Sequence, residues 1–202
     1  MRRTARVLAA TVALAAILGA PFLRASEAAS GVYEIRPEDS RVGFTIQKWV
    51  VFKEEGRFRE MRGEVAVDRE NPAASRVWVE IVASSLDTRD PYRDRTVRGE
   101  DFLNVRRYPT LRFESRRVLP KGGEAFDIEG DLTIRGVTRR VTVPVRLRGL
   151  ARVPEVGDLA GFETSFTIKR SDYGVLGSKW SGGKAILSDE VVVSMEVGAR
   201  RK

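Results

Sequence analysis

Residues able to do acid–base chemistry crowd one stretch, DTRDPYRDRTVRGED at 87–101, where Arg89, Asp90, Arg93, Asp94, Arg95, Arg98, Glu100 and Asp101 interleave in sign. Carboxylates brought together can divide the roles of general acid and general base. The groups that usually complete such a site are missing, because the 202 residues contain no His and no Cys. A Ser-His-Asp or Cys-His triad, an imidazole base and a Cys/His zinc centre are therefore excluded. An all-carboxylate metal site or an Asp/Glu/Lys/Tyr enzyme stays open. Alternating acids and bases on a short exposed segment form weak surface pairs more often than they form catalysts.

The stretch has its own local order. Asp90-Pro91 is a helix start, with Asp as N-cap and Pro at the first helical position, and Gly99 is a stop. The spacing predicts one short helix over 91–98. Phe102, Leu103 and Tyr108 follow it, and their apolar bulk needs burial. The segment is either a lid over a cavity or a plug that closes a core.

The first 28 residues form a separate object. MRRTAR is basic, VLAATVALAAILGA is apolar, and SEAAS offers small residues for cleavage after Ala28, the three parts of a secretory signal. The expected location is periplasmic or secreted, with an uncleaved anchor as the alternative. The chain carries a net charge of +8. Arg2, Arg3, Arg6 and Arg24 against Glu27 account for three of those charges, so the mature chain is mildly basic. Its charges are mixed along every segment, which argues against nucleic acid and allows transient contact with a membrane surface.

From residue 32 onward the period is two. RVGFTIQK, GEVAVD, RVWVEIVA, TLRFES, FDIEGDLTIRG, RVTVPVRLRG, GFETSFTIK and EVVVSMEVG each carry one apolar and one polar face, as expected of antiparallel strands wetted on one side. Turn signals lie at ENPA 70–73, PKGGE 120–124, RGVT 135–138 and VPEVGD 153–158. Pro144 falls on the polar face of its strand and implies a bulge or broken pairing there. Eight such strands pack as a sandwich or close into an up-and-down barrel. At eight strands a barrel interior is either filled by side chains or holds one slender ligand.

YEIRPEDSRVGFTIQK, GRFREMRGEVAVD, SLDTRDPYRDRTVRGEDFLNVRRYPTLRFES, GDLTIRGVTRRVTVPV and FTIKRSDYG resemble, in order and spacing, the YceI-like family of exported lipid-binding or polyisoprenoid-binding proteins. The resemblance spans about Val32 to Val197, and the domain is set at 32–199. It implies an all-β fold, an eight-stranded antiparallel lipocalin-like barrel with a short helix between strands three and four. Its lumen would take a long isoprenoid lipid, a polyprenol or prenyl quinone, with no catalytic cofactor and no enzymatic activity.

The wall residues expected to bind it are Phe44, Ile46, Val65, Val67, Val79, Ile81, Phe102, Phe113, Leu132, Ile134, Val143, Val145, Phe166, Ile168, Tyr173, Val193 and Met195. Arg93, Asp94, Arg170 and Trp180 are mouth or headgroup candidates, but the favoured reading is structural: Arg93 and Asp94 hold the helix against the barrel rim, and Arg170 pairs with Asp172 or faces solvent. Where relatives often have His, this chain has Asp39, Lys48 and Thr96, and Tyr173 stands for the usual Phe, so no histidine-based role carries over. A homodimer is allowed. The rival readings are a filled barrel acting as an interaction or stress-response module, and a carboxylate-dependent hydrolase.

Overall fold

The computed structural model describes residues 30–48, 51–177 and 187–202. The leader expected at 1–28 and Trp180 lie outside them. The elements are β1 (Gly31–Ile35), β2 (Arg41–Lys48), β3 (Phe52–Phe58), β4 (Met61–Val67), β5 (Arg76–Val82), β6 (Leu86–Asp87), α1 (Pro91–Arg98), β7 (Thr110–Gly122), β8 (Ala125–Ile134), β9 (Val137–Val153), β10 (Gly157–Lys169) and β11 (Leu187–Arg201).

Eleven strands make eight ribbons. β2 pairs with β3 and β1 with β4, while β3 pairs with β6 and β4 with β5. The pairs β1/β2, β3/β4 and β5/β6 are thus three ribbons, each interrupted once. From there β5 pairs with β7, and the order runs β7–β8–β9–β10–β11. β11 pairs with both β1 and β2 and closes the ring. The result is an antiparallel up-and-down barrel of eight ribbons with α1 between the third and fourth, as the alternation and the family resemblance together imply.

The three interruptions face one another. A short 3₁₀ turn at Pro37–Asp39 separates β1 from β2, and another at Ala83–Ser85 separates β5 from β6. Two serines bridge these breaks. The Ser85 hydroxyl accepts from the Glu60 amide at 3.1 Å and donates to the Val82 carbonyl at 2.7 Å. The Ser40 hydroxyl donates to the Arg36 carbonyl and accepts from the Gly198 amide. Backbone groups freed where the ribbons bend are paired by side chains, as buried polar groups must be.

Three strands escaped the sequence reading. β3 reads FKEEGRF and shows no apolar face. Its inward positions are Glu54, Gly56 and Phe58, set opposite Ile46, Phe44 and Val42. A Cβ on Gly56 would lie 2.3 Å from the Phe44 ring, so the ring supplies the apolar surface that this strand lacks. β1 and β6 are five and two residues long, too short for a period to register. The expected turn at 153–158 is shorter than it looked, because β9 runs to Val153 and β10 begins at Gly157.

Candidate functional site

Residues paired directly across antiparallel strands share a face, and the ladders assemble one apolar lining. Val79 lies beside Phe113, and Phe113 beside Leu132. Phe126 and Ile128 lie beside Val145 and Val143. Phe44 and Val42 lie beside Val193 and Met195. Two aromatic rings fold back over glycines in the wall, Phe44 over Gly56 and Phe113 over Gly130, which keeps their bulk out of the centre.

The barrel is hollow. A continuous cavity of about 460 Å³ runs from the loop between β4 and β5 to the 3₁₀ turn at Arg170–Tyr173. Its volume falls within the range of roughly 300–1,000 Å³ usual for small-molecule sites. Phe44, Ile46, Val65, Val67, Val79, Ile81, Phe102, Phe113, Leu132, Ile134, Val143, Val145, Phe166, Ile168, Tyr173, Val193 and Met195 all line it. So do Ile35, Phe58, Leu86, Leu103, Val118, Phe126, Leu150 and Val175, which the sequence reading passed over. Val118 and Phe126 could have been found from the alternation on either side of the 120–124 turn, whereas Ile35 lies on the short β1. Leu86 and Val175 sit in segments too short to show a period.

Of the described mouth candidates, Arg93 and Asp94 have structural partners and Arg170 reaches the cavity. The Arg93 guanidinium lies 2.5 Å from Glu54 on β3 and 3.5 Å from Asp90. Asp94 accepts from the Thr88 amide at 2.7 Å and from its hydroxyl at 2.6 Å. Neither residue lines the cavity. Both tie α1 to the barrel rim, and the Asp90 carboxylate caps the helix by accepting from the amides of Tyr92 and Arg93. Arg170 does line the cavity, but it neither pairs with Asp172 nor faces solvent alone. Its guanidinium donates to the carbonyls of Val175, Leu176, Leu187 and Ser188, which joins the two stems of the segment leading into β11.

The helix end is closed by apolar side chains. Leu86, Phe102, Leu103, Leu132, Ile134, Tyr173 and Val175 form one buried cluster there. Burial raises the Tyr173 phenol above its ordinary value. At the other end Asp158, only 3% exposed at its side chain, accepts from Arg152 at 2.6 and 3.1 Å and from Arg201 at 3.2 Å. The Arg152 hydrogen bond is the main cause that holds its carboxyl below 3.8. Tyr33 is fully buried beside this group, and desolvation raises its phenol. Sequence gave no sign of this cluster, since Asp158 stood at the end of an apparent turn.

Asp87 is held far below the ordinary carboxylate range by Arg59, the Arg89 amide and Arg57. Asp90, Asp131 and Asp189 are also lowered by hydrogen bonds. A general acid needs the opposite shift. Such an arrangement can bury hydrocarbon, and none of these four lowered carboxylates lines the cavity.

The YceI-like domain family matches residues 33–199. A UPF0312 protein of Pseudomonas paraeruginosa is 38% identical over 185 residues, covering 89% of this chain and 93% of the relative. Among solved structures, Burkholderia cenocepacia BcnA superposes with a TM-score of 0.74 at 26% identity, covering 81% of this chain and 98% of BcnA. A polyisoprenoid binding domain from Saccharophagus degradans, implicated in plant cell wall breakdown, superposes at 0.66 with 15% identity, covering 84% and 98%. That last likeness is one of fold.

Proposed function

This chain belongs to the YceI-like family, and from that premise we propose that it is an exported binding protein, not a catalyst, which carries a long isoprenoid lipid in its lumen. The observation that carries the reading is the continuous apolar cavity inside a wall that satisfies its own backbone hydrogen bonds over most of its circumference. A prenyl tail in water exposes hydrocarbon alone. Its burial is worth roughly 0.8 kcal/mol per CH₂-sized group, so a few isoprene units outweigh the costs of association and ordering. The Saccharophagus degradans neighbour, described as polyisoprenoid binding, supports the same ligand class. A polyprenol or prenyl quinone fits, because the wall selects for slenderness and offers few polar groups.

The test is mass spectrometry of an organic extract of the natively purified protein. A prenyl quinone or polyprenol at near-stoichiometric amount is expected, and Ile134→Trp, which fills the lumen, should abolish it with the β circular-dichroism spectrum retained. Repeated recovery of no apolar compound would overturn the reading.

A further inference from the structure

The wall of the barrel is not hydrogen-bonded all the way along β9. Residues 137–146 pair with β8, whereas only 145–153 pair with β10. The β9–β10 ladder stops at Val145 opposite Thr164, and among the described residues nothing on β9 from 137 to 144 pairs with 165–169. The cause lies in one residue. The Thr164 hydroxyl donates to the Pro144 carbonyl at 2.6 Å, so the polar edge of residue 144 faces β10. In a strand the N–H of a residue points to the same side as its C=O. The next rung, residue 144 with Ser165, therefore needs a donor that proline lacks, and the threonine hydroxyl occupies the acceptor. Towards β8 residue 144 stands at a position that asks for no N–H, so that ladder continues through it from Asp127.

The unpaired length is bounded. Below it Arg139 donates to the Asp172 carbonyl at 3.2 Å, and above it stands the Val145–Thr164 pair. At about 3.3 Å per residue the five residues between these ties span about 16 Å. Behind the gap lie Val143, Phe166 and Ile168, all facing the cavity. In front, the outward residues along the upper part of the gap are uncharged, while Arg140 and Lys169 stand charged and exposed at its lower end. Thr142, Pro144, Ser165, Thr167, Val192 and Ser194 are all exposed, on a barrel where 32% of residues carry charge.

We propose that this gap is a side portal: the prenyl chain enters and leaves the lumen between β9 and β10, by parting side chains without breaking any backbone hydrogen bond. The inference rests on the lipid-carrier reading and specifies its route. The helix end offers no comparable path, since opening it means withdrawing Phe102, Leu103 and Tyr173 from a buried cluster. A portal touches neither the free nor the bound end state, so closing it must slow association and dissociation by the same factor and leave Kd unchanged.

Two closures test this with a fluorescent geranylgeranyl probe. Pro144→Val restores the missing donor, and hydrogen exchange at Ser165 and Thr167 reports whether the ladder has extended. Continuing the register of the Val145–Thr164 pair sets Thr142 opposite Thr167, so the pair Thr142→Cys and Thr167→Cys can be bridged directly or with a short bis-maleimide. At least a tenfold fall in both rate constants is expected in the closed forms, reversed by reductant in the disulfide form. Unchanged rates in a form shown to be closed overturn the portal and leave the carrier reading standing, with entry from the β4–β5 loop end. Failure of the wild-type protein to bind the probe at equilibrium would instead overturn the carrier reading itself.

Discussion

The two ends of this barrel are shut by different physics. At the helix end the return loop after α1 folds in Phe102 and Leu103, the 3₁₀ turn after β10 and the residues beyond it bring Tyr173 and Val175, and the closing force is hydrocarbon removed from water. At the opposite end Tyr33 and Asp158 are buried, and Asp158 binds two arginines, one from β9 and one the last residue of β11. The first closure is broad and tolerant of composition. The second is narrow and geometric, because each partner is useful only while the others stay in place. The cavity skirts that ionic side and reaches Pro72 and Ser75 in the loop beside it and Arg76 at the start of β5. A greasy plug seals, whereas an ion cluster fixes strands in register and leaves room alongside.

The hardest blow to this contrast is Phe102→Ala. The ring is buried at the helix end and presses on Gly177, where an added Cβ would come within 2.5 Å of it. Large-to-small changes of this kind cost about 3–5 kcal/mol, and in a chain of this length a loss of that size lowers Tm by about 10 °C. Urea unfolding measures it. A loss under about 1 kcal/mol would mean that the loop merely rests on the barrel, and the helix end would then be the freer mouth.

That closure was legible in sequence because hydrophobic burial leaves a pattern. Alternation located the inward face of all eight ribbons, and Asp90, Pro91 and Gly99 bounded the helix at 91–98. Pro144 announced the interrupted ladder. What stayed hidden depends on partners far apart in the chain. Asp158 meets Arg201 across 43 positions, and Arg170 gathers carbonyls on both sides of a segment that enters β11. Nothing local marks such pairs. β3 was missed for a related reason, since its wall face is completed by the Phe44 ring from β2 and not by its own residues. For Arg93 and Asp94 sequence left two readings, headgroup contact or the favoured fastening of the helix, and only their partners on β3 and at Thr88 show the fastening.

The ionic end should show itself in acid. The folded Asp158 carboxyl lies below the unfolded value of 3.8, so the unfolded chain takes up the proton first. The stability contributed by this group is therefore present above 3.8 and is lost as pH falls from there through the folded value. Asp87 acts in the same direction. Asp158→Asn should lower stability at pH 7 and make the fall below about pH 4 shallower, while added salt weakens the cluster only in part, because Asp158 is buried but its two arginines reach solvent. A variant whose acid limb matches wild type would show that the cluster does not hold this end. The Phe102→Ala variant should keep the wild-type acid slope while starting from a lower stability, so the two ends separate in one set of titrations.

The smallest effect discriminates most finely. Arg93 is about one-third exposed at its side chain and pairs with Glu54, and exposed or half-exposed pairs contribute about 1 kcal/mol or less. Arg93→Gln should therefore cost no more than that, and Kd for the geranylgeranyl probe should not move, because the guanidinium fastens α1 and stays outside the lumen. Glu54→Gln removes the same pair together with the Lys48–Glu54 contact at 3.2 Å, and Arg93→Gln also gives up its approach to Asp90, so the double variant should lose less than the sum of the two single losses. The opposite pattern, stability intact and affinity reduced by Arg93→Gln alone, would make this arginine a reader of the ligand's head. It would place the mouth under the helix and reverse the assignment of which end seals.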